Sequence, residues 1–194
     1  MKQVGKYILF DLQEFEGWLT AFKCSRNINH IQQHHTWLPN YKEFNGDNHF
    51  KLCDAMEKYH TSPEVGMTEI AQNFTTFSDG TIMVCRNLNT QPAGIKFVNS
   101  GGICIENVGN FDIGKDKMTA AHRQTIISLT KLLLAKFKLI PNEYSLVYHH
   151  WFDLNTGERK PTDEPNSIKT CPGTSFFGGN TLRDYHTNFL PLFN

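Results

Sequence analysis

Apolar side chains recur at three- and four-residue intervals in three stretches of the chain. Across residues 11–22 (DLQEFEGWLTAF), Leu12, Phe15, Trp18, Leu19 and Phe22 fall on one helical face. A turn at Asn45-Gly46-Asp47 precedes a second helix, predicted over about 48–60, with Phe50, Cys53, Met56 and Lys58 along it. The third and clearest helix is predicted over 119–139. Thr119 is its N-cap, Ile126, Leu129, Leu132, Leu133 and Phe137 make its stripe, and Pro141 stops it.

Between the helices the period shortens. Residues 73–78 and 81–86 flank Asp79-Gly80, a strong hairpin signal, and residues 31–35, 102–107 and 145–151 complete the predicted strands. Strands interleaved with helices imply an α/β fold, with a mixed central sheet and helices on its faces. Chemistry is then expected where strand ends and loops meet on one side of the sheet. There is no internal repeat and no Pro/Ser-rich linker, so 194 residues read as one domain.

Composition changes little in this picture. The balance is that of a globular chain, 39% hydrophobic and 20% charged, and the formal net charge of zero argues against a field tuned to nucleic acid or an anionic membrane. The apolar run Tyr7–Phe10 is too short for a signal-peptide core, and no stretch approaches the roughly 20 apolar residues of a membrane span. The expectation is therefore a soluble protein without a secretory address. Five widely spaced cysteines with no CxxC pair do not suggest a disulfide framework. Cys85 and Cys104 read as buried strand thiols, whereas Cys171 sits in a polar KTCPG segment.

His34-His35 at the end of one predicted strand, His149-His150 at the end of another, and Cys171 are the side chains that carry candidate chemistry. Imidazole and thiolate are preferred zinc ligands, and catalytic zinc sites use three protein ligands while leaving one position open. A His-His pair alone is more often a hydrogen-bonded, partly buried feature; the combination is what points to a metal.

The surrounding segments carry a resemblance. IQQHHTWLP resembles the first metal-ligand segment of the type 2 N-acetylmuramoyl-L-alanine amidases, a family related to peptidoglycan recognition proteins and phage lysins. FSDGTIMVCR is similar to the family's DG hairpin, NSGGICIEN to its glutamate-bearing strand, and KTCPG to its last ligand segment, all in the family's order over about residues 28–180.

The resemblance implies a peptidoglycan-recognition-protein-like fold with an N-terminal helical segment (1–27), an amidase core (28–180) and a C-terminal tail (181–194). It implies a Zn2+ cofactor on His34, His149 and Cys171, with His35 and His150 as the other members of each pair. It further implies Glu106 as general base and Lys169 as the cation that stabilises the oxyanion. By themselves these two could equally be a strand-end carboxylate paired with a lysine and an ordinary solvated lysine. Many members carry a tyrosine-histidine pair where this chain has Gln72-Asn73, which places more weight on Glu106.

Trp37, Asn73 and Asn99 are candidate substrate contacts, though Trp37 could be a core residue and either asparagine could serve loop backbone. Residues 88–95 read as a groove-wall loop, and the polar insertion LNTGERKPTDEPNS before Cys171 as an exposed loop. The implied partner is peptidoglycan, cut between N-acetylmuramic acid and L-alanine by a monomer made in the cytoplasm and acting on the wall as a phage endolysin or autolysin. The competing reading is a non-catalytic recognition module; an intact His34/His149/Cys171 set favours the enzyme.

Overall fold

The computed structural model describes residues 1–163 and 169–194. Among these, seven strands form one mixed sheet: β1 (Lys2–Val4), β2 (Tyr7–Phe10), β3 (His30–His35), β4 (Phe74–Thr76), β5 (Ile82–Val84), β6 (Gly102–Asn107) and β7 (Leu146–Tyr148). Their spatial order is β1-β2-β5-β4-β6-β3-β7. The β1-β2-β5-β4 half is antiparallel, whereas β4, β6, β3 and β7 run parallel. Three longer helices pack against the sheet: α1 (Leu12–Ala21), α2 (His49–His60) and α3 (Ala120–Phe137).

Local chemistry sets the helix starts. Asp11 accepts the Glu14 amide while Glu14 returns a bond to the Asp11 amide, a reciprocal cap at the head of α1. Thr119 accepts the His122 amide and opens α3. The Asp79-Gly80 turn joins β4 and β5 as the pattern predicts, with Asp79 Oδ1 accepting the Thr81 amide at 3.0 Å and Gly80 at φ +90°.

Alternation along the strands sends side chains to two different cores. Phe10, Ile82 and Val84 join Phe15, Leu19, Ile126, Leu129 and Leu133 in the larger cluster, around α1 and α3. Tyr7, Leu9, Met83 and Cys85 join Leu52, Cys53 and Met56 in a smaller cluster under α2. Successive strand residues face opposite sides, so α2 covers one face of the sheet and α1 with α3 the other.

Two segments depart from the sequence expectation. Residues 1–27 are not simply helical, because β1 and β2 form an antiparallel hairpin that extends the sheet along β5. Four residues of β2 are too few to show a strand period, and β1 is exposed throughout. The C-terminal segment is part of the core rather than a tail: Tyr185 and Phe189 are fully buried against Tyr148 and Phe176. Residues 164–167 of the polar insertion lie outside the described residues. No helix among the described residues is long and apolar enough to cross a membrane.

Candidate metal centre

Strand β3 supplies the first candidate ligand and is unusual for a central strand. All six of its residues (HIQQHH) are buried, although only Ile31 is apolar. Burying so many polar groups is tolerable only if they are hydrogen-bonded. On the α3 face, Gln33 donates to Thr130 Oγ1 at 3.0 Å and accepts from Asn107 Nδ2 at 3.1 Å. Asn107 Nδ2 also donates to the His34 carbonyl at 2.7 Å, fixing the backbone of that residue.

The same network continues outward. Thr76 donates to Asn107 Oδ1 at 2.7 Å, and its hydroxyl has one proton to give, so His122 Nε2 is the donor in the 2.7 Å contact with Thr76. His122 Nδ1 then accepts from the Tyr41 hydroxyl at 2.8 Å. Polar side chains from four elements and a loop thus lock the carboxyl ends of β3, β4 and β6 together.

On the opposite face, at those same strand ends, the candidate ligands converge. His34 extends from β3, His149 follows β7 immediately, and Cys171 lies on the loop beyond. One donor atom from each of the three falls within 4.8 Å of the others. His34 Nδ1 and His149 Nδ1 stand 2.8 Å apart, and two imidazole nitrogens so placed must share a proton or a cation. Burial, reinforced for each by nearby positive groups including Lys169, holds both imidazoles well below their ordinary pKa and therefore neutral, the ligating form. Burial pushes the Cys171 thiol well up; a bound cation would reverse that and draw out the thiolate. Two neutral imidazoles and one buried thiol are a donor set that suits zinc.

The Cys171 loop is built to hold its shape. The Cys171 carbonyl accepts the His150 amide at 3.0 Å and the His150 Nδ1–H at 3.1 Å. Asp112 accepts the Thr174 amide at 3.0 Å and the Thr170 hydroxyl at 3.2 Å, while Asn180 donates to the Thr170 carbonyl at 2.7 Å. Gly173 has φ +117°, and a Cβ there would lie 2.5 Å from the Phe111 carbonyl oxygen. His150 is thereby committed to the loop backbone. His35 is likewise committed elsewhere, accepting the Phe111 amide at 3.1 Å. The structure brings together the first member of each His-His pair.

Glu106 is the register partner of His34 across β6 and β3. Its Oε1 is 3.7 Å from His34 Nδ1, and its Oε2 is buried without a hydrogen-bond partner. Burial raises the carboxyl to about 8, with Lys169 pulling the other way. Lys169 lines the same 310 Å³ pocket as His34, His149, Cys171, Glu106 and Trp37. Cys104 makes a second potential donor group with His34 and Glu106, contiguous with the first because His34 is common to both.

A larger groove of 630 Å³ runs from Glu106, Thr36 and Trp37 to α2, where Leu52, Ala55, Met56 and Tyr59 form its wall. Trp37 is not a core residue; it is 58% exposed at the junction of groove and pocket. Asn73 and Asn99 do not line either cavity. Asn73 is fully buried, accepting the Cys104 amide at 3.1 Å and donating to the Thr90 carbonyl at 3.2 Å, and Asn99 accepts the Ile95 amide at 2.9 Å. Gln72, buried under α2, donates to Thr75 Oγ1.

A mixed sheet that gathers a His/His/Cys cluster and a carboxylate at its strand ends, beside an apolar groove, presents a candidate metal centre. The family model described as N-acetylmuramoyl-L-alanine amidase matches residues 25–174, and the chain belongs to that family. Among solved structures, the N-acetylmuramoyl-L-alanine amidase LysC from Clostridium intestinale URNW is 22% identical, with 86% of this chain and 90% of that one covered at a TM-score of 0.56. Drosophila PGRP-LB is 17% identical, covering 86% and 84% of the two chains at a TM-score of 0.61. Peptidoglycan recognition protein-LE, solved with tracheal cytotoxin (monomeric diaminopimelic acid-type peptidoglycan), is 20% identical over 78% of each chain at 0.59. At these identities the likeness establishes the fold, the peptidoglycan-recognition-protein-like α/β architecture. Comparison with curated protein sequences gives no match.

Proposed function

We propose that the chain is a zinc-dependent hydrolase of peptidoglycan that cleaves the amide bond between N-acetylmuramic acid and L-alanine. The observation that carries this reading is the convergence of His34, His149 and Cys171 within 4.8 Å beside Glu106. These three residues would hold the ion. Zinc, when bound there, supplies Lewis-acid polarisation of the amide carbonyl and the attacking water.

The remaining chemistry falls to the chain's own side chains. Glu106 accepts the proton that water gives up as its oxygen bonds to the lactyl carbonyl carbon. It returns that proton to the alanine nitrogen as the C–N bond breaks, so the products are a muramic carboxylate and a stem peptide with a free amine. Burial raises the Glu106 carboxyl in the metal-free chain; a cation held by the neighbouring ligands would draw it back toward the ionised form that accepts a proton. Lys169 opposes the negative charge that develops on the carbonyl oxygen. Trp37 and the apolar wall of α2 receive the stem peptide, continuous with the pocket at Thr36, Trp37 and Glu106. Asn73 and Asn99 have no part in this scheme, since their side chains serve strand and loop backbone.

Digestion of purified peptidoglycan tests the reading directly. The expected products are glycan strands with intact lactyl carboxylates and peptides beginning with L-alanine. Binding to the polymer without new alanine amines would identify a recognition module; new reducing sugar ends instead would indicate a different bond. The activity suits a phage endolysin or an autolysin alike.

A further inference from the structure

His34 has two ring nitrogens, and the metal reading uses only Nδ1. A neutral imidazole that gives Nδ1 to a cation carries its proton on Nε2, and a buried N–H requires an acceptor. His34 Nε2 is buried and has no hydrogen-bond partner among protein groups. One other atom on the same strand face is in the same condition, Gln32 Oε1. Residues 32 and 34 are two apart on β3, so their side chains leave the sheet on the same side.

Gly94 brings the two atoms to one place. A Cβ built on Gly94 would lie 2.5 Å from Gln32 Oε1 and 3.0 Å from His34 Nε2, with Cys104 Sγ at 2.7 Å. Glycine therefore leaves room for a polar cluster that any other residue would displace. The orientation of the Gln32 amide is set on its far side. Its Nε2 donates to the Val98 carbonyl at 3.0 Å, which only the nitrogen end can do, so the oxygen end faces His34.

The geometry points to Gln32 as a positioning residue: the two atoms are not bonded to each other in this structure, and with a metal on Nδ1 the Nε2–H of His34 turns onto Gln32 Oε1, which then holds the ring with Nδ1 toward the metal. This inference rests on the metal reading above and adds to it the group that selects the tautomer and ring orientation of one ligand. Cys104 is the competing acceptor, and as a thiol it is the weaker one.

The test uses the full chain with cobalt(II) in place of zinc, reading affinity by chelator competition and site geometry by visible absorption. Gln32→Leu is expected to weaken binding about 10- to 100-fold and to alter the cobalt spectrum. Gln32→Glu keeps an acceptor but loses the bond to the Val98 carbonyl, so it is expected to recover part of the affinity that Gln32→Leu loses and to move the spectrum back toward wild type. Gln32→Leu binding like wild type, where Cys171→Ser does not, overturns the role of Gln32 alone. Loss on Cys104→Ala with Gln32→Leu unaffected also overturns it, in favour of the thiol. Equal binding by wild type and Cys171→Ser overturns the metal reading and this inference together. Should Gln32→Leu fail to fold, long-range 15N correlation spectra of the zinc-loaded wild type decide: protonation of His34 at Nε2 with an exchange-protected proton supports the assignment, and protonation at Nδ1 overturns it.

Discussion

His34 and Glu106 are register partners on adjacent parallel strands, and their side chains meet with Nδ1 3.7 Å from Oε1. Parallel pairing puts a candidate ligand and a candidate base side by side at the carboxyl ends of β3 and β6, without help from a flexible loop. That placement makes Glu106 separable from metal binding. Glu106→Gln is expected to keep zinc at the wild-type stoichiometry while lowering kcat by about 10²- to 10⁴-fold. Metal analysis alongside initial rates of stem-peptide release checks this; near wild-type turnover removes Glu106 from the mechanism.

Trp37 stands 58% exposed where the pocket opens into the apolar groove. If it stacks on substrate, Trp37→Ala raises KM by about 2- to 10-fold, the equivalent of 0.5–1.5 kcal/mol of aromatic contact, with kcat nearly unchanged. Thermal stability should move little, because the side chain fills no core space. A large fall in Tm with unaltered KM would assign Trp37 to the scaffold instead.

Gly173 sets the path of the chain just after Cys171. With φ +117° and a Cβ position 2.5 Å from the Phe111 carbonyl oxygen, Gly173→Ala strains the loop in two ways. The expected cost is about 1–3 kcal/mol of stability, together with weaker zinc retention during dialysis against a chelator. Unchanged retention would mean that the loop can shift without moving the Cys171 thiol.

Acid should destabilise the zinc-free chain before its carboxylates are titrated. Burial holds His122 at about 3, and His35 and His150 each at about 4, against an ordinary value of 6.5. Below 6.5 the unfolded chain binds protons that the folded chain refuses. The stability from these three groups is therefore complete above pH 6.5 and falls as pH drops through the window toward 3. Glu106, raised to about 8, acts in the opposite sense, its contribution declining as pH rises from 4.5 to 8. Three histidines outweigh one glutamate, so the urea midpoint should be lower at pH 5 than at pH 6.5, and the drop steeper in Glu106→Gln. A flat profile between these pH values would contradict the buried-neutral assignment.

The parts legible in the sequence were those with a local signature. Helical periods located α1, α2 and α3, and Asp79-Gly80 located a hairpin, because each is encoded within about a dozen adjacent residues. The ligand candidates were legible because His34-His35, His149-His150 and Cys171 are uncommon residues at element ends. Their spatial convergence depends on β3 lying between β6 and β7, a long-range pairing with no local sign.

Other features were hidden for physical reasons. The four residues of β2 are too short to reveal a period, and β1 gains its place only by pairing with β2. Asn73 lies beside family-like segments, yet its amide is taken up by the backbone of β6 and of the loop after β5, which no residue type announces. Gln32 and Gln33 look alike in sequence. Strand alternation sends one toward Gly94 and the other to Thr130, and only tertiary contacts distinguish them.

The central claim is tested most directly by measuring zinc per chain and release of L-alanine-terminated peptide on the same preparations of wild type and Cys171→Ser. The account predicts about one zinc and active release for wild type. In the folded variant it predicts loss of tightly held zinc and of release together. Wild type that releases peptide after complete removal of zinc, or Cys171→Ser that keeps both the metal and the activity, would contradict it.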